Sequence, residues 1–173
     1  MKRRALLRTI GVLILAVLVT TIAAPAEAGQ RGGRHRHCVT FAADGVGQDL
    51  GGGQTRATIL VGGRQIGTTT ASFTIGTVTG TSAAFTGPLV FSPAHRAGTL
   101  TAQLVGTFDV VSGVFAARSV TVTGTRSLRK VSGTLEVQGT EDLTTGTFTE
   151  TLSGTLCIAK KHRSTLAHLV AGR

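Results

Sequence analysis

The chain has 173 residues, with 18 lysines and arginines against 8 aspartates and glutamates, which gives a formal net charge of +10. That length accommodates one domain with tails, and a hydrophobic content of 41% excludes a disordered polyelectrolyte. With 7 Phe and neither Trp nor Tyr, the chain is poor in aromatic residues, which argues against a reader of single-stranded nucleic acid that stacks bases on exposed rings. We therefore expect no specific nucleic-acid recognition.

The first 28 residues follow the pattern of a secretory signal peptide. Four basic residues within the first eight precede an apolar run over 10–19, and Ala26-Glu27-Ala28 places small residues where a signal peptidase requires them. The apolar run is shorter than the roughly 20 residues that span a bilayer, and an uncleaved N-terminal anchor is the alternative. We expect cleavage near Ala28, which gives a mature protein (29–173) that is secreted or located at the cell surface or in the periplasm.

Removal of this leader leaves fourteen basic and seven acidic residues, a net charge of +7. Between the two cysteines, seven basic residues balance seven acidic ones, so the predicted domain at 38–158 is neutral. The excess lies in a flexible basic arm, 29–37, and a flexible basic tail, 159–173. The cations are Arg31, Arg34 and Arg36 in the arm, and Lys160, Lys161, Arg163 and Arg173 in the tail.

The region between the cysteines predicts antiparallel β-structure. Thr-, Val- and Gly-rich runs alternate with a period of two between turn residues, and no segment has a helical apolar stripe. The predicted strands are 38–43, 55–61, 65–77, 82–91, 98–108, 114–123, 131–139 and 146–158.

Each of these strands is expected to have one buried face and one solvent-exposed face. In 146–158, for example, Phe148, Leu152, Leu156 and Ile158 share one face, and Thr and Ser occupy the other. A sheet of eight short antiparallel strands has two unpaired edge strands, and closing the sheet into a barrel pairs them with each other. The predicted fold class is therefore all-β, an eight-stranded antiparallel β-barrel. A homo-oligomer is an open alternative: if the Thr-rich faces lined the interior and the apolar faces lay outside, the barrel would favour a trimer.

The motif Asp-x-x-(Ser/Thr)-Gly-x-Phe occurs twice, at 109–115 and at 142–148. Asp at the start of a turn accepts backbone N–H bonds, and Gly at its end adopts the left-handed conformation at no steric cost. We interpret both copies as tight hairpin turns; loops that grip a ligand are the alternative.

The two cysteines occupy matching positions in the first and last predicted strands. Cys38 shares its face with Thr40, and Cys157 shares its face with Thr155, so both lie on the Thr-rich side. In an exported chain this arrangement predicts a disulfide that seals the barrel, with two free thiols as the alternative.

Turn and strand motifs run from Gly98 to Cys157. They include Gly106-Thr107-Phe108-Asp109, Ser112-Gly113-Val114-Phe115, Val122-Thr123-Gly124-Thr125, Ser132-Gly133-Thr134-Leu135 and Asp142-Leu143-Thr144-Thr145-Gly146-Thr147-Phe148. This stretch resembles bacterial exported members of the allene oxide cyclase and dirigent-like barrel superfamily. The resemblance implies an eight-stranded barrel, trimeric in plant members, with a pocket for a lipophilic ligand. The activities of that superfamily include cyclisation of an unsaturated fatty-acid epoxide and guidance of radical coupling.

The chain departs from that family in two respects. Arg126 and Lys130 occupy positions where the family pattern has Gly, which makes this loop unusually basic. The chain also has no Tyr, and no catalytic residue of the family maps onto a position here. The resemblance therefore implies the fold without the cyclase activity.

Candidates for catalysis are few. Glu150 is a carboxylate on the apolar phase of its strand, and Arg118 shares the apolar phase of Ala116 and Val120. If these faces line the barrel, the two form either a structural ion pair or the polar floor of a pocket; outward positions are the alternative. His95 lies in a loop without an identifiable partner, so no complete catalytic set is present.

The basic flanks hold the remaining candidates. A disulfide would bring both flanks together, which makes Arg31, Arg34, Arg36, Lys160, Lys161 and Arg163 candidates for binding an anionic polymer. Solvated tails that aid export are the alternative. His35, His37 and His162 are candidate metal ligands, but a loose chelator without a carboxylate or thiolate does not predict a bound metal, and no cofactor is expected.

These observations favour an exported β-barrel that binds a small lipophilic ligand, or acts as a surface-associated binding module, without an identifiable catalytic mechanism. The alternatives are an isomerase of the allene oxide cyclase type that uses Glu150 and Arg118, and a secreted polyanion binder that acts through its tails.

Overall fold

The computed structural model describes residues 36–159, and these residues form strands joined by short turns. The only helical element in this range is one 3-10 turn, Arg126–Leu128. The strands are β1 (Arg36–Gly51), β2 (Gln54–Val61), β3 (Arg64–Ser72), β4 (Thr74–Thr79), β5 (Ser82–Pro93), β6 (Leu100–Asp109), β7 (Val114–Gly124), β8 (Ser132–Asp142) and β9 (Thr147–Ala159).

The sheet closes on itself. Neighbouring strands pair antiparallel in the order β3-β2-β1-β9-β8-β7-β6-β5-β4, and β3 also pairs with β5. Because β3 pairs with the second half of β5 and β4 with its first half, β3 and β4 act as one interrupted strand, the one predicted at 65–77. The structure is thus an eight-stranded antiparallel β-barrel, which confirms the predicted fold class.

The apolar face of each strand points into the barrel. In β9, Phe148, Leu152, Leu156 and Ile158 are all buried, whereas Thr149, Thr151 and Ser153 are exposed. The prediction for this strand is therefore confirmed, and the Thr-rich face is the outer one. The arrangement that would favour a trimer, a Thr-lined interior with an apolar exterior, is the reverse of the one found.

The disulfide joins the first and last strands. Cys38 and Cys157 are directly opposed in the β1–β9 ladder, with Cα atoms 4.0 Å apart, and the bond links positions 119 residues apart. This confirms the predicted pairing. A stable disulfide indicates a non-reducing environment, as outside the cytoplasm. Within 36–159 no helix has the length and apolar character needed to cross a membrane.

Strand β1 is longer than predicted. It begins two residues before the predicted strand and continues through the glycine-rich segment 44–51, which pairs with β2 on one side and with β9 on the other. The segment lacks apolar alternation because its inward positions include Gly45 and Gly47. Pairing on both edges, rather than local propensity, holds it in the sheet.

A β-bulge interrupts β7. Gln103 pairs with Thr121 and Leu104 pairs with Ser119, so Val120 has no partner on β6. A bulge inverts the alternation of side chains on either side of it. Val122 is consequently buried, whereas Val120 is 66% exposed and Arg118 lies on the outer face.

The two ends of the barrel differ in how they are covered. We call the end where β1 begins and β9 ends the disulfide end; the other, with turns at 52–53, 80–81, 110–113 and 143–146, is the mouth. At the disulfide end, the segment between β7 and β8 buries Leu128 completely and Val131 almost completely. These side chains pack into the core and close this end.

Candidate functional site

A cavity of about 340 Å³ occupies the mouth half of the barrel. This volume lies within the roughly 300–1,000 Å³ typical of small-molecule sites. The walls are mainly apolar and come from nearly every strand. The apolar lining consists of Phe73, Ile75, Phe85, Leu89, Leu104, Phe108, Val110, Phe115, Ala117, Val137, Leu143 and Phe148.

The disulfide half of the interior has far less free space. A second cavity there measures about 60 Å³ and has an apolar lining that includes Phe41, Ile59 and Phe91. Leu89 lines both cavities. The side chains of this half form a packed core, which leaves the mouth cavity as the candidate site.

Glycines on the inner face determine how the aromatic side chains fit around this cavity. A Cβ atom built on Gly47 would lie 2.3 Å from the Phe148 ring, and one built on Gly139 would lie 2.4 Å from the Phe115 ring. Each ring thus covers a glycine on the neighbouring strand, an arrangement that stabilises glycines within sheets. Phe115 and Phe148 also meet edge to face, with ring centroids 6.0 Å apart.

Glu150 is the one buried carboxylate among the described residues. Its side chain is only 7% exposed and points into the mouth cavity, between Gly45 on β1 and Gly139 on β8. Burial raises the pKa of Glu150 to about 7, and neither a hydrogen bond nor a nearby charge contributes to the shift. The carboxyl group therefore titrates near neutral pH, as a proton donor or acceptor would.

Two further carboxylates face the cavity closer to the mouth. Glu141 follows Leu135 and Val137 on the inner face of β8, and Asp49 lies at the end of β1. The pKa of Glu141 is raised by partial burial and by the negative charge of Asp49. The alternation of Leu135 and Val137, if extended, would have placed Glu141 inward, but the predicted strand ended at 139. Asp49 could not be recognised because this part of β1 was not predicted.

The expected inward pair of Arg118 and Glu150 is not formed. Arg118 is exposed on the outer face of β7, where it pairs in register with Glu136 of β8. The cause is the bulge at Val120, which the sequence alternation did not reveal and which reverses the orientation of every residue from 114 to 119. Of the two candidates, only Glu150 lies in the cavity.

The repeated Asp motifs are hairpin turns, as predicted. Asp109 Oδ1 accepts hydrogen bonds from the backbone N–H groups of Val111 and Ser112, and Asp142 Oδ1 accepts them from Thr144 and Thr145. The pKa of Asp109 is lowered chiefly by a hydrogen bond from the Thr81 hydroxyl and then by the backbone bonds, and the pKa of Asp142 is lowered chiefly by its backbone bonds. The closing residues, Gly113 and Gly146, have φ angles of 72° and 70°.

The predicted histidine candidates do not meet at a common site in the described range. His37 lies in β1 and is half-buried, and His95 is exposed in the loop before β6. His35 and His162 lie outside the described residues. No group of three or more His, Cys, Asp or Glu within 36–159 is arranged to hold a metal ion.

Opposite charges collect at opposite ends of the barrel. The exposed or half-buried cations of the disulfide end belong to the start of β1, the start of β3 and the loops at 94–99 and 125–131. They are Arg36, Arg64, Arg96, Arg126, Arg129 and Lys130. The mouth carries Asp49, Asp109, Glu141 and Asp142. The neutral composition of 38–158 therefore conceals a strong polarity along the barrel axis.

Of the candidate polyanion-binding residues, the structure describes only Arg36. It lies at the start of β1, where Nη1 donates a 2.9 Å hydrogen bond to Ser132 Oγ. Arg31, Arg34, Lys160, Lys161 and Arg163 lie outside the described residues. The chain enters the barrel at Arg36 and leaves it at Ala159, both at the basic disulfide end.

The sequence matches no protein-family model and no curated protein. The resemblance to allene oxide cyclase and dirigent-like barrels stays a prediction, although the eight-stranded barrel that it implied is present. Because one fold hosts many unrelated functions, function has to be argued from the cavity and the surface.

Proposed function

We propose that this protein binds a small lipophilic ligand in the mouth cavity. The observation that carries the proposal is an apolar space of about 340 Å³ whose rim includes exposed apolar side chains. Ile75 is 51% exposed, Val110 38% and Leu143 47%, and all three line the cavity. Apolar side chains at an opening favour entry of a ligand that is itself poorly soluble in water.

A neutral fluorescent probe, N-phenyl-1-naphthylamine, tests the proposal. The probe should bind the wild-type protein with one-to-one stoichiometry and should be displaced by 1-octanol. Ala117→Leu narrows the cavity, whereas Ala116→Leu adds the same atoms to the outer face of the same strand. We expect at least a ten-fold loss of affinity for the first variant and less than a two-fold change for the second.

Two results would contradict ligand binding in the cavity: no saturable binding to the wild-type protein, or equal effects of the two alanine variants. Circular dichroism checks that each variant retains its β-structure. If Ala117→Leu fails to fold, Leu143→Ser serves instead, because it changes the exposed rim and leaves the packed core intact.

We also propose that the protein acts outside the cytoplasm and that its leader is removed near Ala28. The disulfide supports the location, since such bonds are rare in reducing compartments. The signal-peptide pattern lies in residues 1–28, outside the described range. Mass spectrometry of the protein from the medium or cell envelope should give a mature N-terminus at Gly29; an intact Met1 would favour the retained anchor.

Isomerase or cyclase activity is a second candidate function, supported by Glu150 alone. A carboxyl group with a pKa of about 7 in an apolar cavity is suited to move a proton to or from a bound substrate. Arg118, on the outer face, offers no help to such a reaction. If a substrate is found, Glu150→Gln should lower its turnover at least a hundred-fold, and unchanged turnover would end this candidate.

Binding to an anionic polymer is the third candidate, supported by the cations of the disulfide end. Arg126, Arg129 and Lys130 lie in one loop and are exposed. Cations gathered on one face attract a polyanion more effectively than the same charges dispersed over the surface. The chain connects to the basic arm at Arg36 and to the basic tail at Ala159, both at the disulfide end of the barrel.

Heparin chromatography distinguishes the contributions of the loop and the tails. Arg129→Gln combined with Lys130→Gln should lower the salt concentration at which the protein elutes. The control, Arg56→Gln combined with Arg118→Gln, removes the same charge from strands β2 and β7 and should have a smaller effect. Deletion of 29–35 together with 160–173 should lower it further. Equal effects of the two double variants would show that only net charge matters, and unchanged retention after the deletion would exclude the tails.

A further inference from the structure

We infer that the ligand of the mouth cavity carries a positively charged group, as a lipophilic amine does, and that the Glu150 carboxylate is its counter-ion. This inference rests on the proposed lipophilic-ligand function and adds the chemical class of the ligand. It is carried by the charges that line the cavity, by the position of Glu150 and by the aromatic rings beside it.

Every charged side chain that residues 36–159 contribute to the cavity lining is acidic. These lining residues include Asp49, Glu141 and Glu150, and none of them is Lys, Arg or His. A fatty acid or another anionic ligand would add a negative charge beside these carboxyl groups, and ionised carboxylates would repel it. A cationic ligand would instead supply the charge that the cavity lacks.

Among residues 36–159, no side chain pairs with Glu150 to compensate for its burial. Glu150 lies beside Gly45 and Gly139, the two residues opposite it on the neighbouring strands, and neither has a side chain that could pair with it. Burial is the only cause of its shifted pKa. Removing an ion pair partner from a buried charge is costly, so a carboxylate left alone at 7% exposure favours a ligand that restores the pair.

Two aromatic rings belong to the part of the cavity wall that contains this carboxylate. Phe148 precedes Glu150 by two residues on the same inner face, and the ring of Phe115 covers Gly139, the residue opposite Glu150. Both rings line the cavity. An ammonium group gains from an aromatic face as well as from a carboxylate, and the remaining apolar walls accommodate an alkyl chain.

Three probes that share an eight-carbon chain test the inference by isothermal titration calorimetry at pH 7.5: octylamine, 1-octanol and octanoate. Octylamine should bind the wild-type protein at least ten-fold more tightly than 1-octanol, and octanoate should bind most weakly. Glu150→Gln should remove the preference for octylamine and leave the affinity for 1-octanol within two-fold. Glu136→Gln, which removes a carboxylate from the outer face of β8, should change none of the three affinities.

The outcomes separate this inference from the proposed function. If none of the probes binds and N-phenyl-1-naphthylamine does not bind either, the lipophilic-ligand function itself fails. If 1-octanol or octanoate binds as tightly as octylamine, or if Glu150→Gln keeps the preference for octylamine, the cavity binds lipophilic ligands and the inferred charge is wrong.

The pH dependence gives an independent readout. The amine stays protonated throughout, whereas Glu150 loses its charge as the pH falls through about 7, so octylamine affinity should fall roughly ten-fold between pH 8 and pH 6. The other titratable groups in the lining are Asp49 on β1 and Glu141 on β8. Both are retained in Glu150→Gln, so any pH dependence left in that variant belongs to them. An equal pH dependence in the variant and the wild-type protein would overturn the assignment of Glu150.

Discussion

Glu150 lies over Gly45, its partner in the β1–β9 ladder, as closely as Phe148 lies over Gly47. A Cβ atom built on Gly45 would lie 2.5 Å from Glu150 Cγ and 2.7 Å from Glu150 Oε1. On the inner wall, the Glu150 side chain thus covers Gly45 in the way that the Phe148 ring covers Gly47, which lies two residues nearer the mouth. The absence of a side chain at position 45 is what lets an ionisable group lie flat against the wall.

This contact predicts a strong coupling between the two positions. Gly45→Ala should lower the free energy of unfolding by about 1–3 kcal/mol, because the added methyl group displaces the Glu150 side chain in a packed interior. In the Glu150→Ala background the obstructing atoms are absent, so the same substitution should cost much less. Urea denaturation of the four proteins measures the coupling. Additive effects would show that the clash is relieved elsewhere.

The raised pKa of Glu150 predicts that the protein is more stable in mild acid. The pKa rises from an ordinary 4.5 in the unfolded chain to about 7 in the folded protein, so the folded state holds the proton more tightly. The contribution of Glu150 is complete below pH 4.5 and is lost as the pH rises through 7, a change of about 3 kcal/mol.

Urea denaturation between pH 4.5 and 8 should therefore give a difference between wild-type protein and Glu150→Gln that grows with pH. Taking the difference cancels the opposite pH dependence of Asp109 and Asp142, whose pKa values are lowered. A difference that does not vary with pH would mean that the Glu150 carboxyl group is as well solvated in the folded protein as in the unfolded chain.

Replacing Arg126 by Gly is expected to stabilise the protein. The φ angle of Arg126 is 49°, in the left-handed region that favours glycine. Arg126→Gly should raise the free energy of unfolding by about 1 kcal/mol. Arg129 has a φ of −56°, so Arg129→Gly is the matched control and should lower the stability. Thermal denaturation of the two variants checks this, and the same sign for both would contradict it.

Removal of the disulfide is expected to lower the stability of the protein strongly and to leave its fold unchanged. The chain separation of 119 residues between the two cysteines corresponds to about 4–5 kcal/mol in the chain-entropy treatment. Replacing Cys38 and Cys157 by Ser should lower the free energy of unfolding by up to this amount. The far-UV spectrum should not change, because the strands still pair from Arg36 to Gln48 of β1. Loss of β-structure without denaturant would show that this pairing depends on the covalent bond.

The residues that line the cavity were only partly predictable. The phase of β9 placed Glu150 on the apolar face, and closure of the barrel turns that face inward. Arg118 was assigned to the wrong face because one unpaired residue, Val120, reverses the alternation in β7. A bulge depends on how β7 aligns with β6, so the sequence of β7 contains no clear sign of it.

The sequence by itself determined where most strands lie, the buried face of a regular strand such as β9, and the pairing of Cys38 with Cys157, because a period of two in side-chain character depends only on local geometry. It also determined that the charges between the cysteines sum to zero. Only the tertiary structure decided where those charges lie. Antiparallel strands bring alternate turns to the same end, so cations far apart in the chain gather at the disulfide end and carboxylates gather at the mouth. The tertiary structure also decided that Glu150 is buried with no partner among residues 36–159, since that depends on Gly45 and Gly139 lying opposite it.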